Sequence, residues 1–252
     1  MKEIAVIIPA YNEELRLTPT LISVYEFLQK NFKNFEIIVV NDGSSDNTVQ
    51  VVNDFIARYN NTKLINNKIN SGKGYALRVG VQAADADLLL INDADGSSPI
   101  GELLKLKQAV EDGCDIAIGS RAKPDKTRNV EALTYRKLIG RVYSLIITSL
   151  LLPGFYDTQC GFKLYKNNVA KHIFGLSTIN GYSFDIETLF LANKLHYKIT
   201  EVAINWHNVE GSKVNVITDS FKMLMETLRI ALKYNQGKYD LKNPRKLNNV
   251  QR

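Results

Sequence analysis

Cysteine and proline are scarce in this chain of 252 residues, which contains two cysteines and six prolines. Two thiols build neither a disulfide framework nor a four-thiolate metal site, so Cys114 and Cys160 are expected to be buried thiols in a reducing compartment. With 45% hydrophobic and 23% charged residues, the composition excludes disordered and collagen-like architectures.

Long hydrophobic runs are also missing. The longest uncharged stretch, 142–156, has fifteen residues and contains Pro153 and Gly154, whereas a helix that crosses a bilayer needs roughly 20 apolar residues. The N-terminus enters an apolar run that stops at Pro9 and has no extended secretory core. We therefore predict neither a spanning helix nor a secretory signal.

Positive charge is concentrated in two segments of a chain whose net charge is +6. Residues 121–141 and residues 233–252 each carry +5. No nucleic-acid-binding motif accompanies them, so we predict no nucleic-acid partner. Phosphate-bearing small molecules or an anionic membrane surface fit both segments.

Short apolar runs alternate with helical periodicities, which predicts an α/β fold with a mostly parallel sheet flanked by helices. The predicted strands are 3–9, 35–41, 62–66, 87–92 and 115–119. An elaborated second half follows, with predicted helices at 134–152 and 184–196 and strands at 162–165 and 199–205. A last helix to about Tyr234 is predicted from Phe221, Leu224, Met225, Leu228 and Leu232. We expect one domain over 1–234, with halves 1–121 and 122–234, and a basic tail at 235–252.

Polar clusters begin where the predicted strands end, at 9–13, 41–43, 92–96 and 119–121. Ligands of open parallel sheets bind beyond the carboxyl ends of the strands. Asp93 and Asp95, two residues apart at a strand end, can point the same way. Together they are candidate ligands for Mg²⁺ or Mn²⁺, which prefer oxygen donors.

Five segments, four of which contain these clusters, resemble in their order the motifs of family 2 glycosyltransferases with the GT-A fold, a Rossmann-like architecture. They are 7–13 (IIPAYNE), 39–46 (VVNDGSSD), 70–74 (NSGKG), 93–95 (DAD) and 119–121 (GSR). In the second half, 157–164 (DTQCGFKL), 184–187 (FDIE) and 210–213 (EGSK) resemble the dolichyl-phosphate glucosyltransferases and dolichol-phosphate mannose synthases. The resemblance covers about residues 3 to 234.

The resemblance implies a nucleotide-sugar site, a metal site and a catalytic set. The implied nucleotide-sugar-binding residues are Pro9, Tyr11, Asn12, Glu13, Asp42, Lys73, Asp93, Ala94 and Lys213. The implied catalytic residues are Asp93, Asp95, Arg121 and Asp185, of which Asp93 and Asp95 hold the metal. Fixed cations and a divalent ion stabilise a departing diphosphate. Asp185 and Glu187 are equally compatible with structural ion pairs.

Ser97 stands where mannose synthases of this type have glutamine, which leaves a third metal ligand open. Asn205 and Trp206, followed by 210–213 (EGSK), are closer to the glucosyltransferases and favour UDP-glucose over GDP-mannose as donor. A polyprenyl phosphate such as dolichyl phosphate is the acceptor that the resemblance implies, with its phosphate on Arg121 and Arg136. The segment 142–152 then meets lipid or, alternatively, is a core helix. We expect a cytoplasmic protein that is peripherally associated with the cytoplasmic face of a membrane.

Three other functions remain open on the sequence. The donor is GDP-mannose in the first, and the acceptor is a saccharide hydroxyl in the second, which requires a general base. In the third, the protein is a membrane-docking scaffold with a vestigial nucleotide site. The intact pair of Asp93 and Asp95 argues against the scaffold. The order of the motifs and the basic segment followed by an apolar one favour an inverting, metal-dependent hexosyltransferase.

Overall fold

A computed structural model of the protein describes residues 2–125, 129–130, 151–209 and 216–241, with 216–221 described by their backbone. Residues 134–150 of the predicted helix 134–152 lie outside this range. So do two predicted site residues, Arg136 and Lys213, and the last part of the predicted basic tail, 242–252.

Seven strands of the described residues form one sheet in the order β3-β2-β1-β4-β6-β5-β7. Their bounds are β1 Lys2–Ala10, β2 Phe35–Asp42, β3 Thr62–Asn67, β4 Ala86–Ile91, β5 Ile116–Ser120, β6 Lys163–Lys166 and β7 Ile199–Ala203. Only β6 among them is antiparallel to its neighbours. The mostly parallel α/β sheet is therefore confirmed, and the strand bounds agree with the predicted ones to within two residues.

The central strands are apolar on both faces because helices cover both sides of the sheet. On β1, Ile7 pairs with Ile38 of β2 and with Ile91 of β4, and its side chain packs into one core. Val6 and Ile8, which alternate with it, pack into the core on the opposite face. The continuous apolar runs of the sequence therefore correspond to fully buried strands.

Seven helices form the two covering layers of the described residues. Their bounds are α1 Leu17–Asn31, α2 Thr48–Ile56, α3 Lys73–Ala83, α4 Leu103–Glu111, α5 Asn167–Leu176, α6 Phe184–Lys194 and α7 Val216–Asn235. Helices α1, α2 and α4 pack on one face, and α3, α5, α6 and α7 pack on the other. None of the helices in this part of the chain is long and apolar enough to span a bilayer.

Helix α7 is present as predicted, but three of the five apolar positions that predicted it are exposed rather than buried. Met225, Leu228 and Leu232 are exposed, whereas Met223 and Ile230 are buried against the rest of the protein. Periodicity detects a helix with an apolar side but does not determine which side meets the core.

Helix α3 packs closely on β1 and β2 at Gly80, where an added Cβ would lie 2.5 Å from Ile7 Cγ2 and 3.0 Å from Val40 Cγ2. We expect Gly80→Ala to lower the free energy of unfolding by about 1–3 kcal/mol, because overpacking outweighs the better helix propensity of alanine. Urea unfolding measures the change. Gly101→Ala, at a position with no atom within 4 Å of the added Cβ, is the matched control, and equal stabilities of the two variants would contradict the expectation.

Candidate functional site

A cavity of about 410 Å³ opens at the carboxyl ends of β1, β2 and β4, where a parallel sheet brings its strand ends together. The start of α3 and one side of α7 complete its wall. Eight residues that the sequence assigned to the site line it, namely Pro9, Tyr11, Glu13, Asp42, Lys73, Asp93, Ala94 and Asp95.

The loops after β1 and β2 are joined by side-chain to backbone hydrogen bonds. The backbone N–H of Asn12 donates to Ser44 Oγ at 2.8 Å, and that of Glu13 donates to Thr48 Oγ1 at 2.7 Å. The side-chain oxygen of Asn12 accepts from the N–H of Ser45 at 2.8 Å, and Asn12 has a φ of 52°. Asn12 thus holds two loops together and is not among the residues that line the cavity.

Glu13 is buried at the wall of the cavity and pairs with Arg16 at one turn's distance. The Arg16 guanidinium donates to both carboxylate oxygens, at 2.7 and 2.8 Å. This bidentate contact fixes the relative orientation of the two side chains. The sequence interpretation missed Arg16, which also lines the cavity.

Asp42 at the end of β2 holds the segment that leads into α3. Its carboxylate accepts from the backbone N–H of Gly72 at 2.7 Å and from that of Ser71 at 3.0 Å. Close approach of the two loops requires Gly43, which has a φ of +70° and whose added Cβ would lie 2.5 Å from the N of Asn70. Asp42 therefore shapes the cavity by positioning the backbone that precedes Lys73.

The two acids at the end of β4 have different partners. Asp93 Oδ1 lies 2.6 Å from Lys73 Nζ at the start of α3. Asp95 accepts from the backbone N–H of Ser97 at 2.9 Å. An added Cβ at Gly161 would lie 2.1 Å from Asp93 Oδ2, so the Asp93 carboxylate occupies space that only glycine leaves open.

A second ion pair lies next to the first, in the buried layer under the cavity. Lys163 of β6 is fully buried, and its ammonium donates to Asp185 at the start of α6 and to the carbonyl oxygen of Cys160 at 2.6 Å. Burial lowers the pKa of Lys73, but Asp93 and Asp185 more than offset this, so its pKa is raised and the amine stays charged. Asp185 therefore acts on the cavity through the charges around it and does not line it.

Glu187, two residues after Asp185 on α6, is a buried hydrogen-bond acceptor. It accepts from the N–H and hydroxyl of Thr178, from the N–H of Ile179 and from the hydroxyl of Tyr239. These hydrogen bonds give Glu187 a structural role, which is one of the two roles that the sequence left open.

Arg121 follows β5 and is held by Asp157. Its Nε and Nη2 donate to the two carboxylate oxygens at 2.7 and 2.9 Å, and its guanidinium lies 5.6 Å from the centre of the Trp206 ring. Burial raises the pKa of Asp157, but the charge and hydrogen bonds of Arg121 outweigh it and lower that pKa to about 2. Arg121 is thus a pre-oriented cation near the sheet edge, outside the cavity wall itself.

Comparisons with known proteins identify the family of this arrangement. The model of the family described as glycosyl transferase family 2 matches residues 5–174. A dolichyl-phosphate beta-glucosyltransferase of Homo sapiens is 33% identical over 98% of this chain and 80% of its own length. Another from Trichomonas vaginalis is 36% identical over 92% of this chain and 73% of its own.

This chain belongs to glycosyl transferase family 2. Among solved structures, a glucosyl-3-phosphoglycerate synthase from Mycobacterium tuberculosis, crystallised with Mn²⁺ and UDP-glucose, has a TM-score of 0.66 and 16% identity. The match covers 90% of this chain and 78% of that one. The predicted family and the predicted GT-A fold are therefore confirmed.

In this family 2 glycosyltransferase, residues to which the sequence interpretation gave no role complete the site. Lys222 and Glu226 lie one turn apart on α7 and line the cavity, and Lys163 pairs with Asp185 beneath it. The spacing of Lys222 and Glu226 puts both on one side of a helix, which is a signal available from the sequence. Lys163 lies within the motif 157–164, but the sequence does not show that its charge is buried inside the sheet.

The Arg121–Asp157 pair makes the stability of this glycosyltransferase depend on pH. The folded pKa of Asp157 is about 2, below the unfolded value of about 3.9, so the pair stabilises the fold above about pH 4 and loses this contribution as pH falls towards 2. We expect a contribution of about 2 kcal/mol.

Urea unfolding of wild type and Asp157→Asn at several pH values tests this expectation. The stability difference between them is expected to shrink between about pH 4 and pH 2. Asp87→Asn, at an exposed position on β4, is the control for loss of a surface acid. A difference between wild type and Asp157→Asn that is independent of pH would contradict the assignment.

Proposed function

We propose that this chain is an inverting, metal-dependent glucosyltransferase that moves glucose from UDP-glucose onto dolichyl phosphate. The observation that carries the proposal is the pair of acids at the end of β4, beside Lys73, in the wall of a 410 Å³ cavity. The names of the relatives support the sugar and the acceptor. The UDP-glucose and Mn²⁺ in the mycobacterial structure support the donor and the metal.

The chemistry of the acid pair fits Mg²⁺ or Mn²⁺. Asp93 and Asp95 supply carboxylate oxygens, the ligands that these ions prefer, and Gly161 leaves the space that the Asp93 carboxylate fills. Among the described residues there is no cluster of three or more His, Cys, Asp or Glu side chains that could hold a metal. Asp93 and Asp95 would therefore hold the ion together with the donor diphosphate, whose negative charge it would neutralise.

The protein's own residues bind and orient the donor. Pro9, Tyr11 and Glu13 wall the end of the cavity proposed for the base and ribose, and Asp42 holds the adjoining loop. Lys73 lies beside the acid pair of Asp93 and Asp95. There its ammonium can pass from Asp93 to a phosphate oxygen of the donor. Proposed roles for Lys213 and Arg136 on donor and acceptor phosphates concern residues outside the described part of the chain.

A phosphate acceptor needs no base from the protein. A phosphomonoester has a second pKa of about 6 and is largely ionised at neutral pH. Its oxygen attacks the anomeric carbon while the bond to the UDP oxygen breaks on the other side, which inverts the configuration. None of the three histidines, all of which lie within the described residues, lines the cavity. Arg121, held by Asp157, is proposed for the acceptor phosphate.

Transfer of label from UDP-glucose to dolichyl phosphate in the presence of Mn²⁺ tests the function directly. We expect a lipid-soluble glucosylated product, and we expect Asp95→Ala to reduce its formation by at least about a hundredfold. Asp87→Ala, on β4 and exposed to solvent, is the matched control and should keep activity. Transfer from GDP-mannose but not from UDP-glucose would reject the proposed donor.

The ion pair between Lys73 and Asp93 leads to an expectation about metal binding. Because the ammonium occupies a proposed metal ligand, Lys73→Met should increase the affinity for Mn²⁺ in the absence of nucleotide by about tenfold. Electron paramagnetic resonance of bound Mn²⁺ measures it. Lys68→Met, at an exposed position five residues earlier, is the control. Unchanged or weaker Mn²⁺ binding in Lys73→Met would exclude Asp93 as a ligand.

Because the acceptor is a lipid, we also propose that the protein works at a membrane surface, peripherally and on the cytoplasmic face. The two basic segments of the sequence support attraction to anionic headgroups.

A further inference from the structure

Helix α7 exposes an apolar stripe on the side that faces away from the protein. Met225, Leu228 and Leu232 are 43%, 43% and 57% exposed, and their spacing places them on one line along the helix. On the opposite side, Met223 and Ile230 are 8% and 0% exposed. The helix is thus held by its inner side, and the stripe contributes nothing to the core.

Three cations lie along one edge of this stripe. Lys222, Arg229 and Lys233 of α7 line a second cavity of about 530 Å³ between the helix and the loop around Asn180. The spacing of these cations places all three on one side of the helix. Lys233 Nζ donates to Thr178 Oγ1 at 2.7 Å, which holds one end of the basic edge in place.

We propose that α7 is a bilayer-docking surface, with Met225, Leu228 and Leu232 in the headgroup and acyl boundary and with Lys222, Arg229 and Lys233 against anionic headgroups. An outward apolar stripe beside a cationic edge is the pattern of helices that lie in a membrane interface. Each Lys or Arg near such a surface adds about 1 kcal/mol of attraction, and the sequence 233–252, which includes Lys233, carries a net charge of +5.

A second copy of the chain is the other candidate occupant, and the structure disfavours it. A stable interface between two proteins buries about 1,200–2,000 Å² in total, far more than three half-exposed side chains supply. A symmetric contact across the stripe would also bring the basic edges of the two copies close together. An anionic membrane surface, in contrast, carries the charge opposite to that of the basic edge of α7.

This inference rests on the proposed function, and it adds the surface by which the enzyme would meet the membrane that holds its lipid acceptor. Lys222 and Glu226 of α7 line both the cavity of about 410 Å³ that is proposed for the donor (the donor cavity) and the second cavity of about 530 Å³. A bilayer against the outer side of α7 therefore places the mouth of the donor cavity at the headgroup layer, where the phosphate of a lipid acceptor lies.

Co-sedimentation of the full chain with vesicles tests the surface. We expect binding to vesicles of equimolar phosphatidylcholine and phosphatidylserine, and weaker binding to phosphatidylcholine alone. Leu228→Ser with Leu232→Ser should lower the partition coefficient by about tenfold. Leu15→Ser with Leu104→Ser, two leucines exposed elsewhere, is the matched control and should bind like wild type.

Glucosyl transfer to a short, water-soluble polyprenyl phosphate separates this inference from the proposed function. The Leu228 and Leu232 double variant should keep that activity without vesicles and lose about tenfold with dolichyl phosphate in vesicles. Vesicle binding equal to wild type, or a dimer in light scattering that the double variant dissociates, would overturn the docking surface. Wild type that binds vesicles but transfers no glucose to either acceptor would overturn only the proposed function.

Discussion

Charge pairing in the layer beneath the strand ends is the constraint on which the rest of the site depends. Three ion pairs lie there: Arg121–Asp157, Lys163–Asp185 and Lys73–Asp93. A buried charge is tolerated only next to an opposite one, and neighbouring pairs act on each other, since Lys163 also lowers the pKa of Asp157 and Asp185 raises that of Lys73. Asp93 at the cavity is therefore oriented by its place in a network whose members come from α3, β6, α6 and the segments that follow β4, follow β5 and precede β6.

The loops around the cavity are shaped by backbone contacts as much as by side chains that face a ligand. Asp42 and Asn12 both belong to motifs of the family, yet each accepts hydrogen bonds from the backbone of another loop. Gly43 allows the loops after β2 and before α3 to touch. Motif residues of this kind build the binding surface, and a substitution there changes the position of neighbours that contact the substrate.

The sequence predicted the parallel strands and the acid pair because both follow from local pattern: continuous apolar runs, and acids two apart at a strand end. It did not predict that β6 is antiparallel, since four residues such as Lys163–Lys166 carry no directional signal. It identified α7 as a helix, but the packing surface there includes Thr227, which is buried. Inward and outward sides are decided by tertiary contacts, which periodicity alone does not contain.

Gly161 has a consequence for reading other sequences of this kind. The missing side chain leaves the room that the Asp93 carboxylate occupies, so even an alanine would have to displace the acid or the strand that follows. A sequence that keeps every charged residue of the motifs but has a side chain at position 161 would therefore hold its acid at position 93 in a different place. Position 161 is therefore part of the acid site, although it carries no functional group of its own.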